Sequence, residues 1–367
     1  MKERYLKTFR KTAVFLLLSV TCLVTVSAQF IQKRILERTE PAGRETTLEI
    51  SNKYGKIEIT LWNRDSVYIR TEIEAQASSQ SKTDKMLSGI SVDFSSSKYM
   101  VKAKTTFDQS PGMLLESFKG MTSKVINYDS RIEVNYYVKI PDYISIRLDN
   151  RYGDVFIEDL KGNLILNLAN GSLKAGDVEG SCELNLDFAN ATVNKATTCR
   201  IDGSFSELTI NEAGTMNINS ISSRYETGNI TELTLESRRD KIFSGTVDIL
   251  RGNSYFSQVR IDRLTGEADI NPKYGNLTIT DIDNMFRRIR INSGYNDIYL
   301  TFDRSASYNF YLRHTNTFVS LPDEVVNPEK KPVNEEKKEY IMTGTIGRSP
   351  GKRQVDIEAT RGTVSLR

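Results

Sequence analysis

The chain has 367 residues, 38% hydrophobic and 26% charged, with one His, one Trp and three Cys. That balance excludes a disordered chain and a disulfide-dense miniprotein, and a single His leaves no basis for a His-rich zinc site. The formal net charge of +3 belongs to the first 28 residues: without their five basic and one acidic side chains, 45 basic and 46 acidic remain, net −1. Such a chain lacks the global positive field of a nucleic-acid-binding protein, so nucleic acid is not an expected partner.

In chain order, residues 1–28 have the layout of a signal peptide. They offer a basic start (Lys2, Arg4, Lys7, Arg10, Lys11), an apolar stretch over 13–26, and the small-residue end Val26-Ser27-Ala28 before Gln29. Cleavage is expected after Ala28. The apolar stretch has 14 residues, short of the roughly 20 that span a bilayer as a helix. Thr21 precedes Cys22 where a lipidated cysteine follows a small residue. The mature chain is expected to have no transmembrane segment.

Residues 29–143 read as an N-terminal β region that caps a solenoid. Strand-like runs occupy 47–50, 56–62, 66–73, 90–94, 100–105 and 131–140, with a short helix over 81–87 and a connection over 107–123. Pro141 and Asp142 mark the entry to regular coils.

Over 144–310 the governing signal is a repeat. Ile144, Ile146 and Leu148 recur twenty residues on as Leu164, Leu166 and Leu168, and again as Leu184, Leu186 and Phe188, with polar residues at five of the six positions between them. Alternation at period 2 is a strand with one buried face. A unit too small to bury that face alone is satisfied by stacking. The expected fold is all-β, a single-stranded parallel β-helix (β-solenoid), right-handed, with the N-terminal β cap. Turns such as Tyr54-Gly55, Tyr152-Gly153, Asn170-Gly171 and Tyr274-Gly275 separate the strands. Gly and Asn are expected to supply the positive φ of these corners, and the Tyr rings to stack between coils, with a sugar-binding platform as the alternative.

Cys182 and Cys199 are seventeen residues apart, close to one coil, and share inward parity. A disulfide between them and a pair of buried free thiols are both open. Two basic clusters, Arg238-Arg239-Lys241 and Arg287-Arg288-Arg290, read as solvated outer wall, with an anionic polysaccharide or lipid head group as the functional alternative. Residues 311–367 are expected to return as C-terminal strands, 340–347 and 354–367 closing the last coil, around a polar loop over 322–339. The lone His314, between Arg313 and Thr315, is expected to be exposed and structural.

The run Ile50-Ser-Asn-Lys-Tyr-Gly-Lys-Ile-Glu-Ile-Thr-Leu-Trp62-Asn-Arg-Asp65, with Val134-Asn-Tyr-Tyr-Val-Lys-Ile-Pro141 and Tyr152-Gly153-Asp154-Val155, resembles the bacterial putative-adhesin family of exported β-solenoid proteins over about residues 44–300. The resemblance implies a right-handed stacked β fold at the cell envelope and transfers no catalytic residue. The run of amphipathic strands that builds an outer-membrane barrel is missing, so self-translocation is not expected.

No Gly-x-x-x-x-Gly-Lys loop, Gly-x-Gly-x-x-Gly turn or calcium loop occurs, so no cofactor and no metal is expected. An enzymatic alternative is a polysaccharide lyase or hydrolase using Asp154, Asp159, Asp177 or Asp187, with Arg147 or Arg151 stabilising charge. The favoured reading is a non-enzymatic exported cell-envelope protein, in the periplasm or at the cell surface, acting as an adhesin or interaction scaffold. A periplasmic structural or sensing protein is a further alternative. The candidate binding face is the outward row Arg147, Asn167 and Asp187 with the corner residues Tyr152 and Asn170. The expected partner is a polysaccharide or another envelope protein.

Overall fold

A computed structural model describes residues 29–108 and 130–367. The signal peptide with Cys22, and all but the first two residues of the 107–123 connection, lie outside these residues. The chain forms two compact units: a small one built from 29–34, 73–90, 108 and 130–132, and a large one holding the rest. In the small unit the expected helix is present as Gln80–Ser88, with Ser79 as its N-cap and Thr83, Met86 and Leu87 buried.

The large unit is a β-solenoid of mostly parallel strands. Strand Glu207–Ile221 shows how one coil is made. Leu208, Ile210, Ala213, Met216 and Ile218 are buried, and the alternation breaks twice, at Asn211-Glu212 and Gly214-Thr215. Each break bends the strand without ending it, so one strand turns around its own core while both edges stay paired. Strands Ser172–Asp187, Asn190–Ser204, Glu207–Ile221, Arg224–Arg238, Lys241–Tyr255 and Gln258–Lys273 stack in this way, each pairing in parallel with the next. Apolar side chains then meet their equivalents one coil away, as in Leu184, Ile201, Ile218 and Leu235. This stacking buries a face that no single coil could bury.

The register corrects the expected period. Ile146 faces Leu164, and Leu164 faces Cys182, so these coils advance by eighteen residues. From Cys182 the partners Cys199, Met216, Leu233 and Leu250 follow at seventeen. A two-residue offset preserves strand parity, so an apolar pattern matches as well at twenty as at eighteen, and the backbone pairing decides.

The stack also extends into the segment expected as a cap. Thr47–Lys53 pairs in parallel with Ser145–Arg151 on one side and with Met100–Phe107 on the other. Ile57–Leu61 lies likewise between Val155–Ile157 and Ser130–Ile140. Near the other end, Gln354–Leu366 does not close the last coil. It inserts between Arg288–Phe302 and the strands Tyr308–Thr315 and Phe318–Ser320. The polar stretch 322–339 is not a free loop: Val326–Asn334 pairs antiparallel with Glu339–Ile346, which pairs antiparallel with Tyr308–Thr315. Backbone hydrogen bonding needs no apolar side chain, so composition alone did not reveal this strand. His314 is also corrected. It is buried, 5% exposed, beneath Tyr340, whose ring centroid lies 5.6 Å away.

Candidate functional site: the corner column

One corner repeats on every coil. Tyr152, Asn170, Phe188, Phe205, Ser222, Arg239, Phe256, Tyr274 and Tyr295 all have φ between 49° and 58°. In each pair of coils the corner N–H donates to a carbonyl of the next, as from Tyr152 to Ala169 at 2.9 Å and from Phe205 to Ile221 at 3.1 Å. The expectation that Gly supplies the positive φ is reversed: the residue before it does. Glycine is needed for closeness. A Cβ on Gly153 would sit 1.9 Å from the Gly55 carbonyl oxygen, and one on Gly171 2.1 Å from that of Gly153.

A bulky residue in the left-handed region costs roughly 1–2 kcal/mol. Stacking of neighbouring rings offsets a comparable amount, roughly 0.5–1.5 kcal/mol per pair. Tyr54 and Tyr152 stack at 5.5 Å, Phe188 and Phe205 at 5.0 Å, Phe256 and Tyr274 at 4.9 Å, and Tyr274 and Tyr295 at 5.1 Å, with interplanar angles of 20° or less. Arg361 extends the last run, its guanidinium 4.9 Å from the Tyr295 ring. The rings do stack between coils, as the sequence led us to expect. A sugar platform built from them would have open faces only where the stack is interrupted, at Asn170 and at Ser222-Arg239.

The candidate face is partly brought together. Tyr152 and Asn170 occupy the same corner on consecutive coils, both exposed. Arg147, Asn167 and Asp187 are also exposed, but they do not form one row. Arg147 faces Glu49 and Ile165, Asn167 faces Asp149 and Asn185, and Asp187 faces Ala169 and Ser204. The twenty-residue offset had displaced each by two positions. Asn167 is moreover part of a hydrogen-bonded ladder. Asn185 donates to Asn167 at 2.8 Å, Asn219 to Asp202 at 2.7 Å, Asn253 to Glu236 at 2.7 Å, and Asn271 to Asn253 at 3.0 Å.

Of the four carboxylates weighed for catalysis, Asp154, Asp159 and Asp177 serve the stack. Asp154 accepts the Ser172 N–H at 2.9 Å and its hydroxyl at 2.6 Å, Asp159 accepts the Asp177 N–H at 2.9 Å, and Asp177 accepts the Asn194 amide at 2.6 Å. Arg151 lies 3.6 Å from Asp149. Among the described residues no group of three or more His, Cys, Asp or Glu is placed to hold a metal ion, and no helix is long and apolar enough to cross a membrane. Cys182 and Cys199 are directly opposite each other on adjacent strands, both buried and free.

Of the two basic clusters, the structure pairs one. Arg287 contacts Glu267 at 2.8 Å and Asp248 at 3.3 Å, Arg288 contacts Asp356 at 2.7 Å, and Arg290 lies 3.5 Å from Asp269. Sequence reasoning missed Phe205, Ser222 and Phe256 as corner residues, took Phe188 for an inward position although it is 56% exposed at the corner, and placed Arg239 only in a basic cluster; the five stand seventeen apart. That spacing was the available signal, masked by the more conspicuous Tyr-Gly pairs.

No family model matches the chain, and no curated protein does. Solved structures similar to the chain include a putative cell adhesion protein from Clostridium sporogenes, at 9% identity over 92% of this chain and 99% of that one, TM-score 0.21, and a putative adhesin from Bacteroides fragilis, at 10% identity over 92% of this chain and 98% of that one, TM-score 0.29. At such values the β-solenoid assignment rests on this chain's own strand register.

Proposed function

We propose that the protein is a non-enzymatic, exported cell-envelope adhesin or interaction scaffold that holds an extended polymer or a β-rich partner along the outward faces of its coils. The observation that carries this reading is the corner column, exposed over Tyr152, Phe188, Phe205, Phe256, Tyr274 and Tyr295 and presenting one side chain per coil. A surface repeated at coil spacing suits a ligand that also repeats, because contacts weak in isolation add along it. Asp154, Asp159 and Asp177 are committed to hydrogen bonds within the stack, which favours a scaffold over a lyase or hydrolase. Within the candidate face, the weight moves from the Asn167 row to the corner residues Tyr152 and Asn170 and their successors.

Two experiments test the reading. Protease shaving of intact cells should remove the protein, since adhesion to an outside target requires exposure; full protection would place it in the periplasm and leave a structural or sensing role. Glycan-array and pull-down binding should weaken on Tyr152→Ala with folding unchanged. Binding that survives removal of the whole corner column refutes the face.

A further inference from the structure

We propose that the break in the aromatic column, at Ser222 and Arg239 between Phe205 and Phe256, is a subsite for a hexuronate residue of an acidic polysaccharide. The inference rests on the scaffold reading and gives its ligand a chemical class.

The break lies in the side chains and leaves the backbone regular. Ser222 and Arg239 keep φ of 54° and 58°, and their N–H groups donate to the Arg238 and Tyr255 carbonyls at 2.9 Å, as elsewhere along the corner. Coil spacing is therefore unchanged, and at Ser222 only a ring is missing. With adjacent strands about 4.8 Å apart, Phe205 and Arg239 stand about 10 Å apart, with a hydroxymethyl group between them, which leaves room for one ring. Among the described residues Phe205 stacks only on Phe188 and Phe256 only on Tyr274, and both rings are exposed, at 54% and 57%. The ring faces that look into the break are the uncovered ones.

Its charge is uncompensated. Most arginines on neighbouring coils are neutralised: Arg224 by Glu226, Arg251 by Glu232, Arg263 by Asp281 and Asp283. Arg238, Arg239 and Lys241, grouped around this one corner, have no carboxylate partner among the described residues. The carboxylates nearby are otherwise engaged. Asp202 binds Asn219 and Arg200, Glu236 binds Asn253, and Asp240 is buried, accepting from the Ser220 and Ser237 hydroxyls and from the Ser223 and Arg238 N–H groups.

An occupant must therefore offer a flat apolar face and a negative charge. A hexuronate has both. Its C–H face covers the ring of Phe205 while its carboxylate takes the two-pronged hydrogen bonding that a guanidinium provides. A neutral sugar leaves the cations unmatched, and a bare anion leaves the rings uncovered.

The probe is polygalacturonate, with its fully methyl-esterified form as the neutral control. The wild-type protein should be retained by the acid form, less so as salt rises, and not by the ester. Ser222→Phe should complete the column and fill the site while keeping all three cations, reducing retention by about tenfold or more. The fold tolerates a ring there, since Phe205 and Phe256 occupy equivalent positions, and Phe205→Ala provides an independent loss of the platform. Arg238→Ala/Arg239→Ala/Lys241→Ala should also abolish retention, whereas Arg288→Ala, from the paired cluster, should not change it. Retention unaffected by both Ser222→Phe and Phe205→Ala, or equal on acid and ester, overturns the inference. A wild-type protein that ignores uronate polymers but binds another envelope polymer or a protein overturns it and spares the scaffold reading; one that binds nothing overturns both.

Discussion

At the scale of single residues, His314 is the buried group with the clearest consequence. Neither ring nitrogen has a partner among the described residues. Burial, followed by the nearby Lys330 charge, holds its pKa below the ordinary value of 6.5. As pH falls below 6.5 the unfolded chain takes up the proton first, so the folded state loses stability from there down to the folded pKa. Wild type should therefore lose more thermal stability than His314→Phe between pH 7 and pH 5; equal losses would rule out this histidine as the cause. Cys182 and Cys199 allow a second test at this scale. In-register neighbours in a parallel pair stand about 4.8 Å apart, inside the roughly 4.4–6.8 Å that a disulfide spans. In the free state, the hydrogen bond with Cys182 and then burial push the Cys199 thiol well up, which keeps it protonated and unreactive. Chain lacking its first 28 residues should show no reactive thiol when native and two on unfolding without reductant; none on unfolding would mean that the pair is bridged.

At the scale of elements, the corner explains why two kinds of glycine behave differently. Gly153 meets a backbone oxygen, which cannot move aside without breaking the coil-to-coil ladder, whereas Gly43 has nothing within 4 Å of an added Cβ. Gly153→Ala should cost roughly 2–4 kcal/mol and Gly43→Ala close to nothing, as read from urea midpoints; equal effects would mean that the corner relaxes. The strand Val326–Asn334 is exposed along nearly its whole length, and its outer edge would invite another strand. Pro328 and Pro332 interrupt it, and a residue without an N–H cannot continue a ladder. The hairpin is thus closed to edge-on pairing by its own sequence.

At the scale of the large unit, the repeat, the inward parity and the all-β class were legible because alternation is written in every strand. The coil length was not, because parity survives a two-residue slip, and this misplaced the row Arg147, Asn167 and Asp187 while leaving Tyr152 and Asn170 together. The positions of 47–61 and 354–366 were also hidden, since each lies beside strands distant in sequence: Leu48 faces Ile146, and Ile289 faces Val355. Those placements bear on how the unit unfolds. A solenoid whose coils touch only their sequence neighbours can fray coil by coil from either end. Here the regions near both ends are stitched by long-range insertions, so a coil cannot detach without breaking pairings made far away in the chain. Such closure slows folding, because the loop entropy is spent before the contacts form, and it couples the ends to the middle. Leu166→Ala, in a central coil, and Ile357→Ala, in the inserted strand, both remove fully buried side chains and should each cost about 2–5 kcal/mol. Both should shift one common transition followed by circular dichroism and by hydrogen exchange across coils 164–282. If Ile357→Ala releases only the C-terminal coils and leaves exchange at Leu166, Ile201 and Leu235 unchanged, the insertion does not couple them and the stack unfolds as independent neighbours.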